Sequence, residues 1–474
     1  MWDQKQLLPH FGETRAAIFA IKQIEYGGHD RPPLTIAVNA SAYHAAWRTR
    51  CELDHSSSDR LQHRRNGRGE SIRQHALAEA SGIDPHQSRG QVYKLRKNLH
   101  ILAVTKAGNR PVIEPRNRVV EVTCFGSPDG LRVVDAPLPT AGLGEVRVRV
   151  LASGLEYTDT LIRRHLYPQT ASRRPPFVMG YDVVGEIDQL GHGVSGFQLG
   201  DRVADMTVLG SNAVYRTLQA NQLTRVPAGV DAAEAATLIL SWMTAYQLLH
   251  RAGRVQPGQR AMVHGASGAV GQALLVLGNM AGLQLWGGAN GRHAALIREL
   301  GATPIDYQCE DFTRVLPSGF DVVFDGIGED AYRRSFSALK RGGLLCAYGY
   351  SAGVQGQRRM LTMLMWIARL YLWRWLPGDR RPLFYSINAM RLQHPGWFME
   401  DLKRLFDLLA NGAIQPRVAA RISLDEVAEA HRSLEAGGLE GKLVLCPDLP
   451  SRRDQRGLFA RGGKLPHAAD RTIQ

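Results

Sequence analysis

Residues 264–271 read His-Gly-Ala-Ser-Gly-Ala-Val-Gly, set between the apolar run AMVH and a stretch of helical spacing from Ala269 to Ala281. A strand, a tight turn and a helix satisfy that text, and little else does. The pattern is GxGxxG with Ala266 at the first glycine. Gly268 lets backbone approach a pyrophosphate and Gly271 lets the helix lie close on its sheet, while the helix N-terminus turns N–H groups and a positive dipole end toward phosphate oxygens. Ala266, Ser267, Gly268, Ala269, Val270 and Gly271 are therefore the first candidate cofactor-binding residues.

The text beyond repeats the unit. LQLWG, TPIDY, FDVVFD and GLLCAYG read as strands, with helical stretches at Arg292 to Leu300 and Tyr332 to Leu339 between them. Such alternation predicts a doubly wound parallel sheet of the Rossmann type, whose ligands sit at strand ends, so Tyr307, Gly326, Gly328 and Gly349 join the candidates. The end of the second strand separates the two nicotinamide cofactors, because NAD readers carry a carboxylate there for the ribose hydroxyls. Here it reads Gly287-Gly288-Ala289-Asn290-Gly291-Arg292-His293. Without a carboxylate, and with Asn290 and Arg292 in reach, a 2′-phosphate is accommodated, which predicts NADPH. A solvated arginine that merely opens the next helix is the competing reading of Arg292.

Ahead of this region the periodicity is that of strands. Arg118 to Phe125 and Glu145 to Ala152 alternate apolar and polar residues, with Gly and Pro punctuation between them, and short strands continue to about Pro227. Ala232 to Leu249 reads as a helix. The expected organisation is an N-terminal extension over 1–116, a β-rich catalytic domain over 117–235, a Rossmann domain over 236–388, a C-terminal return to the first domain over 389–449, and a basic tail over 450–474.

The net charge of +14 is concentrated at the ends: +7 falls in residues 1–116 and +4 in residues 451–474. A near-neutral middle argues against a nucleic-acid-binding enzyme. The extension holds eight of the sixteen histidines and little periodicity, so it is expected to be loosely ordered. Within it, Ala76 to Leu99 has helix-turn-helix-like spacing, which is either a DNA-binding element or a chance match. The five cysteines are scattered with no CxxC pair, which points to a reducing compartment and offers no structural zinc site. The first thirty residues lack the pattern of a secretion signal, so a cytoplasmic location is expected.

From Arg118 to Cys446 the chain resembles the medium-chain dehydrogenase/reductase superfamily, in particular its quinone oxidoreductase branch. SGLEYTDTLIRRHLYP at 153–168 is similar to the segment that reads GVCHTD in alcohol dehydrogenases, PPFVMGYDVVGEI at 175–187 to their GHE segment, and FQLGDRV at 197–203 to the superfamily's turn before a strand. LSWMTAY at 240–246 and EGKLVL at 440–445 complete the match. The resemblance implies a GroES-like β-rich catalytic domain beside the Rossmann sheet, with Thr244 and Lys442 facing the cofactor, and a homodimer. It also implies where zinc would sit, and there the chain departs: Glu156 replaces the ligand cysteine and Tyr181-Asp182 replace His-Glu. No metal is expected. The enzyme must then polarise its acceptor by hydrogen bonds, which suits quinones, enones and related conjugated carbonyls; Tyr157, Thr158, Arg163, Tyr167 and Tyr181 are the candidate groups.

Arg358 to Arg381 forms an apolar insert, MLTMLMWIARLYLWRWL at its centre, too short and too interrupted by arginines to span a bilayer. It is either an interfacial helix resting on a membrane or a helix packed over the pocket or at a subunit contact. A similar insert belongs to the branch with the vesicle amine transport proteins. Two other functional readings compete with the reductase: a membrane-associated or scaffolding protein that keeps the fold without turnover, and a DNA-binding redox sensor led by the N-terminal segment.

Overall fold

Alternating burial along Glu145–Leu155 marks the strand on which the catalytic half is built: Val146, Val148, Val150 and Ala152 are fully buried, and the residues between them are half-exposed. The computed structural model describes residues 116–350, 359–375 and 379–450. The N-terminal extension, its helix-turn-helix-like text at 76–99, most of the insert's flanks and the basic tail lie outside the described residues.

The strands are β1 (Arg116–Val122), β2 (Leu131–Pro137), β3 (Glu145–Leu155), β4 (Phe177–Val178), β5 (Asp182–Leu190), β6 (Arg202–Met206), β7 (Tyr215–Gln219) and β8 (Thr224–Arg225), followed by β9 (Arg260–His264), β10 (Gln284–Ala289), β11 (Thr303–Asp306), β12 (Phe320–Asp325), β13 (Leu339–Ala347) and β14 (Arg381–Phe384), and last β15 (Val418–Ile422) and β16 (Lys442–Leu445). β9 to β14 form one parallel sheet in the order β11-β10-β9-β12-β13-β14. Its strand order reverses between β9 and β12, which opens a crevice beyond their C-terminal ends. Near-continuous apolar burial of β12 reflects a strand covered on both faces.

The second large sheet runs β15-β16-β3-β5-β6-β8, with β7 also on β3, and β1, β2 and β4 make a small third sheet. The C-terminal return is visible in register: β16 runs antiparallel to β3, with Leu443 opposite Leu155 and Leu445 opposite Ser153. That pairing brings Lys442 level with Glu156, 286 residues away in sequence.

The expected helix over Ala232 to Leu249 is more irregular than its periodicity suggested. Helical turns at Ala232–Thr237 and Met243–Gln247 alternate with wide π turns at Leu238–Trp242 and Leu248–Gly253. A reason lies at its start, where the Ala236 carbonyl accepts the Lys442 ammonium at 3.1 Å and Ser241 turns its hydroxyl to Glu156. Wide turns of this kind gather at functional sites.

The insert forms a helix, Arg359–Trp373. Leu370 is buried and Trp366 and Trp373 pack on Tyr332 and Phe336, while Leu364, Met365, Tyr371, Leu372 and Trp375 stay exposed. Among the described residues no helix is long and apolar enough to cross a membrane.

Candidate active site

The cofactor cleft begins at Gly265, whose φ of +64° makes the sharp exit from β9. That turn falls one residue ahead of the first glycine of the motif, which is why alanine is accepted at 266. Its methyl is buried against Gly287 of β10, where an added Cβ would come within 2.9 Å of the Ala266 Cβ. Gly268 is the N-cap of the helix Ala269–Met280. A Cβ on Gly271 would stand 2.2 Å from the Gly265 carbonyl oxygen, so this contact between helix and turn tolerates hydrogen alone. The twelve-residue helix presents its free N–H groups to the crevice.

A cavity of about 470 Å³ lies over the ends of β9 to β12, walled by His264, Ser267, Asn290, Arg292, His293 and Tyr307 among others. Asn290 caps the turn after β10 by accepting from the Arg292 N–H at 3.1 Å, and Arg292 itself is exposed. Two carboxylates beside this turn, Asp306 and Glu310, follow β11 rather than β10. His264 stays neutral, its imidazole pulled down by burial against the upward effect of Asp325, and it meets Ser335, which donates to Asp325 at 2.7 Å. Gly326, Gly328 and Gly349 cluster at the ends of β12 and β13, where Gly349 packs on Gly326 and added Cβ atoms on Gly326 and Gly328 would strike Tyr348 and Tyr350.

In the other half, Lys442 lies fully enclosed between two carboxylates. Its Nζ is paired with Glu156 and with Asp182 at 3.1 Å, and donates to the Ala236 carbonyl. The stem reaches them across Gly154, where a Cβ would overlap the lysine at 2.2 Å. Burial alone would lower the ammonium, but Asp182 and Glu156 outweigh it and hold it above the ordinary lysine range. Asp182 also accepts from the Gly154 N–H at 2.5 Å, and Ser241 donates to Glu156 at 3.1 Å. Lys442 thus turns its charge to the carboxylates, while also lining, with Ala269 and Gln272, a small cavity of about 30 Å³ beside the first turn of the dinucleotide helix.

Beside this cluster Tyr167 and Tyr181 touch through their hydroxyls at 2.7 Å, and the Asn388 amide donates to both, at 2.9 and 2.7 Å. Burial pushes the Tyr167 phenol up to about 12 and Tyr181 well above its usual value, so both stay protonated. One phenol donates to the other; within the trio the second O–H is left unspent. Asp159 sits near them with its carboxyl well raised by burial and one oxygen, Oδ1, without a partner. Of the remaining sequence candidates, Tyr157 is exposed and Thr158 half-buried at the start of the helix Tyr157–Arg163, and Thr244 is buried between the two π turns. Arg163 is brought to a different place: it ties its helix to the helix Val427–Ala436 through Glu435 and His431 and to the Gly126 carbonyl.

With this geometry the comparisons agree. Residues 142–236 match the alcohol dehydrogenase GroES-like domain and residues 300–445 a domain described as zinc-binding dehydrogenase. A quinone oxidoreductase of Pseudomonas aeruginosa is 32% identical over 69% of this chain and 99% of its own length, and a 2-haloacrylate reductase of a Burkholderia species is 30% identical over 68% and 96%. The chain belongs to the medium-chain dehydrogenase/reductase superfamily. A mycobacterial protein of known structure, solved in complex with NADPH, superposes with a TM-score of 0.60 at 28% identity, covering 70% of this chain and all of its own.

As a medium-chain dehydrogenase/reductase the protein is an oxidoreductase of small molecules, and the glycine turn, helix N-terminus and cavity suit a nicotinamide dinucleotide. Among the described residues no group of three or more His, Cys, Asp or Glu is arranged to hold a metal ion. One member of the site and one pairing within it escaped the sequence reading. Asn388 lies on the helix Ile387–Gln393, in text with no motif, and only the fold carries it to the phenols. The pairing of Lys442 with Glu156 and Asp182 had no signal in the sequence beyond their opposite charges.

Proposed function

We propose that this enzyme transfers hydride from NADPH to a quinone, enone or related conjugated carbonyl, without zinc. The observation that carries the reading is the lysine between Glu156 and Asp182: where a metal-dependent relative would hold a cation, an ammonium already stands between the carboxylates and offsets part of their charge. Glu156, Tyr181 and Asp182 offer neither thiol nor imidazole, so this donor set does not fit zinc. Activation of the acceptor then falls to hydrogen-bond donors. The unspent O–H of the Tyr167–Tyr181–Asn388 trio is a neutral donor at every physiological pH, suited to the oxygen on which charge develops when a conjugated carbonyl is reduced at its β-carbon. The bound nicotinamide supplies the hydride; the chain supplies the donor, the dry wall and the orientation.

NADPH rather than NADH is supported by Asn290 and Arg292 at the end of β10, with no carboxylate on that strand end. Replacing Arg292 by Ala removes a charge-assisted hydrogen bond of about 1.5 to 3 kcal/mol, roughly ten- to a hundred-fold in NADPH affinity, and leaves NADH nearly unchanged. Fluorescence titration of both cofactors, followed by turnover on a quinone and enone panel with and without chelator, tests the whole reading. A wild type that prefers NADH, or activity lost to chelation and restored by zinc, overturns it.

A second reading concerns the helix Arg359–Trp373. Its exposed Leu364, Met365 and Leu372, with Trp375 just beyond its end, stand near Arg369 and Arg374, a pattern suited to the anionic headgroup layer of a bilayer. Co-sedimentation with phosphatidylserine vesicles, abolished by Leu372→Ala with Trp375→Ala, is the expected result; no binding refutes it.

A further inference from the structure

Tyr181 is the last residue before β5, and the loop that leaves β6 at Thr207 folds back across it, since Asp182 and Met206 stand opposite each other in the register. Three carbonyls in succession accept from that loop, each of them twice. Met179 accepts from the Gly210 and Asn212 N–H groups at 3.1 and 2.9 Å, and Gly180 from the Ser211 N–H at 3.4 Å and the Thr207 hydroxyl at 3.1 Å. Tyr181 accepts from the Thr207 and Val208 N–H groups at 2.8 and 2.9 Å. A carbonyl oxygen has two lone pairs, so all three are filled. The Thr207 hydroxyl spends its proton on Gly180 and therefore accepts from Ser211 Oγ at 2.6 Å. Gly180, with φ +115°, lies so close to the loop that an added Cβ would strike the Asn212 backbone. The second bond to Tyr181 comes from a residue with a left-handed backbone, Val208 at φ +66°. For a β-branched residue that conformation is a rare and costly one; it persists where the surroundings over-determine it, and such residues gather at functional sites.

We infer that the loop over residues 207–211 sets the place of the Tyr181 phenol, with Thr207, Val208 and Ser211 as positioning residues that act on the reduction through Tyr181. The inference rests on the reading of the Tyr167–Tyr181–Asn388 trio as the donor to the acceptor's oxygen. The fully buried Tyr181 side chain is held at both ends: its main chain by the loop, and its hydroxyl by Tyr167 and Asn388, each at 2.7 Å. Fixing one end alone would leave the ring free to pivot about the other. A donor works by standing where charge develops, and a displacement of about 1 Å costs up to about a hundred-fold in rate. The strained Val208 is kept in the loop because its side chain packs on the main core, which ties the position of the phenol to the body of the catalytic half.

The test is a mutant cycle on the steady-state reduction of a quinone or enone that the enzyme accepts. Thr207→Val with Ser211→Ala removes the hydroxyl pair without adding volume. It should lower kcat about tenfold, while KM and the Kd of the reduced nicotinamide cofactor stay within about twofold. Thr207→Ser, which keeps the hydroxyl, should run at the wild-type rate. In a Tyr181→Phe background the same two changes should cost less than about twofold further, because the group that the loop positions is already gone. If the double variant is insoluble, Thr207→Val alone carries the same comparison. A loss that persists undiminished in the Tyr181→Phe background overturns the inference, as does an unchanged kcat without that background change, and either result leaves the donor reading intact. Tyr167→Phe combined with Tyr181→Phe at the wild-type rate overturns the donor reading and the inference with it.

Discussion

Lys442 is the residue on which the catalytic half turns, because it is the sole cation enclosed with Glu156 and Asp182 among the described residues. Replacing it by Met keeps the length and removes the charge, leaving two carboxylates buried without a counter-charge. The expected loss is about 3 to 5 kcal/mol of stability, read by urea unfolding at pH 7. The triple variant Lys442→Met, Glu156→Gln, Asp182→Asn should recover much of it, since a polar cluster without net charge no longer needs the ammonium. If the single variant unfolds within about 1 kcal/mol of wild type, the cluster is hydrated and its electrostatic role here is overstated. Both carboxylates were legible as departures from a metal-binding pattern. The pairing of Lys442 with them was not legible, because a sequence does not say which way a side chain leaves β16.

At the scale of the element, the turn and helix after β9 show how far a motif carries. Gly271→Ala should force the helix Ala269–Met280 away from the Gly265 carbonyl, costing about 1 to 3 kcal/mol in thermal unfolding and weakening both cofactors alike. Gly268→Ala meets its nearest atom at 3.3 Å and should cost less. A Gly271→Ala protein as stable as wild type would mean the helix has room the structure does not show. The role of Gly271 was readable from spacing. That Gly265 takes the positive φ, and that Ala266 is matched by a missing side chain at Gly287, required the neighbouring strand. The helix before β9 was read from its 3.6-residue period, but its π turns were not, since the first of them answers to Lys442 on β16 and to Glu156 just past β3.

For the whole molecule, two expectations concern stability and extent. His431 is buried between Arg163 and the core, and burial first, then Arg163, hold its imidazole down to about 3. The folded state therefore refuses a proton that the unfolded chain accepts below pH 6.5. Its stabilising contribution is fully present above that pH and is lost as the pH falls, at about 1.4 kcal/mol per pH unit. His264 shifts in the same direction. The urea-unfolding slope between pH 6 and 5 should become shallower in His431→Gln; an unchanged slope would show that the ring is solvated. The relatives span about two-thirds of this chain and nearly all of their own length. A chain starting at Arg110 is therefore expected to keep its oxidoreductase rate within a few-fold. Loss of soluble enzyme would place part of the extension in the core.

What the sequence determined by itself was local and periodic: the glycine turn, the alternation of strands and helices that makes a parallel sheet, and the alternation of apolar residues in β1 and β3. These follow from backbone sterics and from the two periods of secondary structure, which neighbouring residues suffice to express. What the tertiary structure decided was every contact across long separations. Register between β16 and β3 set Lys442 beside Glu156, the packing of Ile387–Gln393 brought Asn388 to two phenols, and the loop at Gly438 carried Glu440 to His293. Arg163 was drawn to the helix Val427–Ala436 by the same kind of contact. Such pairings depend on how faces meet when the core closes, and the energy that selects them belongs to no single stretch of the chain.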